Sequence, residues 1–248
     1  MIPYTLTKQG TEEARQVRTS WAEVPLSQYV DIMTEPTPLE SACKLCGLSL
    51  EEYGHSSGIL DSWIGHALEM VAKGAEGPRP AWLPADLGKA GIGRFELCKK
   101  YLRLAPHQEH AYPYLYAIYC YADQYDALDS LIGDFPTELF WKAAKLPVLE
   151  TIGACAHIVA EVLRLTEKYA PVLDAALTAE QMAAGIERFE KYGFYPTLLS
   201  YSGGDLTRLR EVLEVPAAVF FHALCVDTEK AEYERQYNEI VTRNRNRK

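Results

Sequence analysis

Five consecutive residues, Gly54-His55-Ser56-Ser57-Gly58, match the G-x-S-x-G pattern of a nucleophile elbow. That chemistry needs a strained strand-to-helix turn, which lifts the serine hydroxyl toward a histidine base beside backbone donors for the oxyanion. Ser49 to Tyr53 reads as a helical turn instead of a strand, and no oxyanion segment is present. A serine hydrolase built on Ser56 is therefore the lesser alternative. Cys43 and Cys46 form a lone C-x-x-C. Zinc would need a second ligand pair, and His55 and His66 do not supply one at a common spacing. A redox pair would need a βαβ setting that is missing. Two cysteines three apart on a helix share a face, so packing is expected and no metal is assigned.

Other polar constellations read the same way. His107 and His110 flank Glu109 between Pro106 and Pro113, as in a solvated turn; Cys98 could be imagined as a further ligand. His157 and His222 lie in apolar helices and are expected to be satisfied core histidines. Gly88, Gly91 and Gly93 lack the Lys-Ser/Thr of a phosphate loop. Tyr112, Tyr114, Tyr116, Tyr119, Tyr121 and Tyr125 cluster, but Asp123 and Asp126 flank them where nucleic acid would demand basic residues. Core or protein interface suits these rings better. No catalytic residue and no cofactor is expected.

The elements that position these residues are helical. Thr37-Pro38-Leu39-Glu40 combines an N-cap hydroxyl, a proline suited to the first turn and a capping-box glutamate, with Gly47 at the far end. Ser49-Leu50-Glu51-Glu52 repeats the pattern until Gly54 stops it. A helix from Asp61 ends at Gly74. Further helical segments are expected near 94–104, 110–121, 123–132, 137–144, 147–168, 180–192, 205–214 and 216–238. Cys155, Ile158, Val159 and Val162 share one face, as do Leu206, Leu209 and Leu213, and Asp205 stands at an N-cap. Strand signals are scarce, residues up to about Thr19 read as polar and loose, and no exact internal repeat appears. The expected fold is mainly α and multi-helical. A small N-terminal helical subdomain covers 1–73, a Gly/Pro-rich linker 74–93, and a larger C-terminal helical subdomain 94–248.

The 248 residues carry a net charge of -9, against broad nucleic-acid binding. The exception is a basic tail of Arg243, Arg245, Arg247 and Lys248. No membrane span is expected: Val215 to Val226 is short and holds His222, and the stretch from Leu146 to Leu165 carries Glu150, His157 and Glu161. No secretory signal is read at Met1-Ile2-Pro3-Tyr4-Thr5, and six dispersed cysteines suit a reducing cytoplasm.

Three patches resemble tail assembly chaperones of long-tailed bacteriophages. The first is Ser20-Trp21-Ala22-Glu23-Val24-Pro25-Leu26-Ser27-Gln28-Tyr29, followed by Leu45-Cys46-Gly47-Leu48-Ser49-Leu50-Glu51-Glu52; Pro25 stands where that family has a polar residue. The second is Gly91-Ile92-Gly93-Arg94-Phe95-Glu96. The third runs from Gly185 to Tyr195, then Gly204-Asp205 and Val212-Leu213-Glu214-Val215-Pro216. The resemblance implies a non-enzymatic helical protein of the infected bacterial cytoplasm that holds a tail or tape-measure protein. The rival is a structural component of a phage neck or tail, which would place it in the virion. Binding is expected through a protein partner, with oligomers compatible, and Tyr112, Tyr116, Tyr119, Arg243, Arg245, Arg247 and Lys248 are the expected contact residues.

Overall fold

The structure, a computed structural model, describes residues 2–8, 11–54, 60–173, 182–183 and 185–245. It is mainly α, as the cap and breaker pattern predicts. One difference stands at the start of the chain. Ile2–Lys8 (β1) and Thr11–Val17 (β2) pair antiparallel, with Ile2 opposite Val17 and Lys8 opposite Thr11. That segment reads as loose because its alternation is short and rich in charge. The hairpin is then tied down by long-range contacts. The Tyr4 hydroxyl donates to the Cys46 carbonyl at 2.9 Å, its ring lies 5.6 Å from that of Trp63, and Arg15 donates to the Gly47 carbonyl.

The helices follow as α1 Leu26–Met33, α2 Pro38–Leu45, α3 Leu50–Gly54 and α4 Asp61–Lys73. Next come α5 Ile92–Leu104, α6 Tyr112–Cys120, α7 Ala127–Ile132 and α8 Thr137–Ala144. The last are α9 Val148–Leu173, α10 Tyr195–Tyr201, α11 Leu209–Leu213 and α12 Ala217–Arg245. Local chemistry sets several ends. Thr37 accepts the Glu40 N–H at 3.2 Å and donates to the Glu40 carboxylate at 2.7 Å. Ser49 and Glu52 complete a reciprocal capping box, at 2.8 Å and 3.1 Å. Gly47, at φ 73, takes the left-handed turn that a side chain would resist. Asp205 does cap as expected, accepting from Thr207 N–H at 2.9 Å, but over a 3₁₀ turn, Leu206–Arg208, ahead of α11.

The chain forms two compact units, each assembled from three stretches. One comprises Met1–Leu83, Cys98–Tyr125 and Asp134–Ile158; the other comprises Pro84–Leu97, Asp126–Gly133 and Val159–Lys248. No single cut at 74–93 separates them. The Gly/Pro-rich stretch is also no free linker, because Leu83 and Leu87 are wholly buried, one in each unit.

Each unit is closed by the same backbone device. In the first, Leu26 N–H donates to Leu146 O at 2.8 Å and Val148 N–H to Val24 O at 2.9 Å, bridging Pro25 to Pro147. In the second, Ile92 N–H donates to Val215 O at 2.8 Å and Ala217 N–H to Ala90 O at 2.9 Å, bridging Gly91 to Pro216. The flanking residues donate both bonds, so a proline at the bridge itself loses nothing. A capped 3₁₀ turn precedes each bridge: Ser20 caps Trp21–Glu23, and Asp86 caps Leu87–Lys89. The spacing from cap to first helical residue is the same in both, Ser20 to Leu26 and Asp86 to Ile92. In the second unit the buried Glu161 carboxylate accepts the Leu87 N–H at 3.1 Å and holds Arg164 at 2.7 Å.

Candidate functional site

The chemical candidates divide sharply once placed. His55, Ser56, Ser57 and Gly58 lie outside the described residues, while the segment before them is the helix α3, where an elbow would need a strand. Cys43 and Cys46 are both buried at α2 and its end. Burial raises the Cys43 thiol and pushes Cys46 up to about 11, so neither is poised as a thiolate ligand or nucleophile. Among the described residues no group of three or more His, Cys, Asp or Glu is arranged to hold a metal ion. Cys98 and Cys155 are fully buried and their thiols are raised further, by desolvation first. Cys120 and Cys225 are only half-buried. A thiol reagent at pH 8 is therefore expected to label Cys120 and Cys225 in the native protein and leave the other four until it is denatured. Fast labelling of Cys98 or Cys155, read by peptide mass spectrometry, would contradict that burial.

His107 and His110 stack across a 3₁₀ turn with ring centroids 5.7 Å apart. The expectation of two core histidines needs correction. His222 is exposed and His157 is half-buried, because each sits on the outward side of its apolar helix. The glycines serve packing. A Cβ on Gly91 would come 2.6 Å from the Leu213 carbonyl oxygen, and one on Gly93 3.1 Å from the Leu213 Cβ.

The expected aromatic contact surface is also corrected. Tyr112, Tyr116 and Tyr119 are each only 7% exposed. The helix carrying them, α6, also buries Pro113, Leu115, Ala117 and Ile118, so it has almost no outward face. Tyr116 meets Trp82 edge-on at 5.7 Å, and Tyr114 stacks on Tyr101 at 4.0 Å. Burial pushes the Tyr112 phenol up to about 12, against the bond it accepts from Gln108 at 3.3 Å. These rings build the first unit's core.

The surface that is left open lies on α12. Its 29 residues bury only Ala217, Phe220 and Phe221. Phe221 anchors the helix, with its ring 5.0 Å from both Phe95 and Tyr169. The Tyr201 hydroxyl reaches Asp227 at 2.5 Å, and burial followed by that bond raises its pKa. From Asp227 to Arg245 every residue is exposed except the half-buried Val241. Apolar side chains nevertheless recur along this length: Val219 59%, Val226 53%, Tyr233 65%, Tyr237 55% and Ile240 60% exposed. They are spaced by seven, seven, four and three residues, one stripe of a helix. Tyr233 and Tyr237 already stack within it, centroids 6.2 Å apart. Arg243 and Arg245 stand exposed at its end, while Arg247 and Lys248 lie outside the described residues.

Sequence periodicity over 216–238 places this helix but stops it short, and the apolar heptad spacing is the signal that reaches Ile240. No helix among the described residues is long and apolar enough to cross a membrane. The chain matches no protein-family model, no curated protein and no solved structure.

Proposed function

We propose that this chain is a non-enzymatic assembly protein that acts by binding other proteins, and that its setting is the tail assembly of a long-tailed bacteriophage. The single observation that carries the binding reading is the bare apolar stripe of α12. A helix in water gains most of its stability from packing an apolar face, and here the greater part of a long helix is exposed among the described residues. Large apolar side chains repeated at regular spacing on an exposed face mark an interaction surface. Helix-on-helix recognition uses such anchors.

The phage setting rests on the resemblance to tail assembly chaperones. Its patches at Ser20–Tyr29, Gly91–Glu96 and Val212–Pro216 fall on the paired bridges that close the two units. In this reading the chain works in the cytoplasm of the infected bacterium and holds a tail or tape-measure protein before the tube polymerises. Affinity capture from infected cells, with the full chain as bait, is expected to recover such a protein. A Tyr233→Asp, Tyr237→Asp bait is expected to recover at least about tenfold less. Equal recovery by both baits would remove α12 from the reading. Stoichiometric presence of this chain in purified particles would favour the neck or tail component instead.

A further inference from the structure

We propose that the stripe on α12 pairs with the same stripe of a second copy of this chain, the two helices running antiparallel. The premise is the reading of α12 as a protein-binding surface, and what is added is the identity of one occupant. Val219, Val226, Tyr233 and Ile240 take one core position of a heptad; Ala223, Lys230, Tyr237 and Asn244 take the other. Alternating steps of four and three sustained along a helix define a coiled-coil seam. From Val226 to Asn244 the seam spans about 27 Å. Lys230 and Asn244 break the apolar run, and polar residues at core positions fix register at a cost in stability.

Charge fixes the direction. Flanking the seam, Asp227, Glu234 and Val241 lie on one side and His222, Glu229, Gln236 and Arg243 on the other. A parallel pair sets Glu229 of each copy against Glu234 of the second, two like-charge contacts. An antiparallel pair centred on Arg235 layers Tyr233 on Tyr237, Lys230 on Ile240 and Val226 on Asn244. It then sets Glu229 against Arg243 twice along one flank of the seam, leaving one like-charge contact on the other flank, Glu234 against its own copy. In the same register the Asp227–Glu229 end of each helix lies level with Arg243 and Arg245 of the second copy. The four tyrosines of the two copies meet at the centre, each able to bury its ring while its hydroxyl stays wet. The Lys230 stem can lie along Ile240 with its ammonium in solvent. The helix dipoles oppose each other in this arrangement, which adds to the preference.

The test uses the full chain in sedimentation or light-scattering measurements across a concentration series. A dimer is expected, weakened by raising the salt, because the flanking ion pairs are exposed. Glu229→Arg, or Arg243→Glu, is expected to raise the dimer dissociation constant at least about tenfold, and the double variant to return it to within about threefold of the parent. A parallel pair would instead be strengthened by Glu229→Arg, which would then face Glu234. Tyr233→Asp with Tyr237→Asp is expected to give a monomer with unchanged far-ultraviolet circular dichroism, since both side chains are exposed in the single chain. A monomer up to about 100 μM, or a dimer indifferent to the charge exchange, overturns the pairing. If the chain is monomeric while α12 remains necessary to capture a tail protein, self-pairing fails and the binding reading stands. If α12 is needed for neither, both fail.

Discussion

Gly153→Ala is expected to destabilise the first unit by about 3 kcal/mol, although it sits inside a helix, where alanine is normally preferred to glycine by about 1 kcal/mol. The reason is the approach of another backbone. A Cβ on Gly153 would lie 2.1 Å from the carbonyl oxygen of Pro78 and 2.6 Å from that of Gly77. Neither is the far end of a flexible side chain, so the strand of backbone at 77–78 must move off α9. That approach also explains why the Gly/Pro-rich stretch behaves as structure: its carbonyls lie against a helix with a glycine gap. Gly65→Ala is the internal control. Gly65 lies inside α4, and a Cβ there would meet nothing within 4 Å, so the same change should stabilise by up to about 1 kcal/mol. Urea midpoints for the two variants should move in opposite directions. A Gly153→Ala protein as stable as its parent would mean that 77–78 is not held against α9.

What is legible in the sequence is whatever is written locally. The cap at Thr37, the full capping box at Ser49 and Glu52, and the stop at Gly74 are set by side chains within a turn of the backbone they satisfy. The hairpin at Ile2–Val17 is not legible, because its stability comes from Tyr4 and Arg15 reaching the chain near Gly47, tens of residues away. The paired bridges are hidden for a different reason. They are made of backbone groups, and the sequence needs only a capped turn before one helix and a proline before another, as at Ser20 with Pro147 and at Asp86 with Pro216. Such a repeat leaves almost no trace in residue identity. The tyrosine cluster misleads because aromatic residues serve core and interface alike. Only the absence of a polar face on α6 distinguishes the two, and Tyr114 and Tyr116 next to Pro113 and Leu115 do carry that hint.

The candidate surface is half legible. The basic end is plain in the residues, yet the stripe that gives it meaning depends on α12 running on to Arg245. A period of seven through Val219, Val226, Tyr233 and Ile240 is visible in the sequence. Charged residues between those positions dilute it, and the helix reads as simply polar unless the heptad is followed. Burial supplies the missing distinction: beyond its buried root, the helix leaves Val226, Tyr233, Tyr237 and Ile240 exposed along one stripe, which is a helix awaiting a neighbour.

Phe221→Ala is expected to cost the second unit about 3–5 kcal/mol, the usual range for emptying an aromatic site in a core. Phe221 is 1% exposed and wedged between Phe95 and Tyr169, with Phe95 itself 1% exposed. The cavity would open at the root of α12, which is otherwise held by Phe220, its ring 4.6 Å from that of Tyr201, by the Tyr201–Asp227 bond at 2.5 Å and by the Ala217 N–H to Ala90 bond at 2.9 Å. Two readouts should therefore move together. The denaturation midpoint should fall, and amide exchange over the first turns of α12 should accelerate. Pairing through the stripe should weaken as well, although no residue of the seam is altered, because a frayed root leaves the helix less ordered before it binds. Val226→Ala separates the two effects. Val226 is 53% exposed, so its truncation should leave folding stability within about 0.5 kcal/mol while still loosening the dimer. If Val226→Ala lowers the midpoint as much as Phe221→Ala does, the stripe belongs to the chain's own core and α12 is not an open surface.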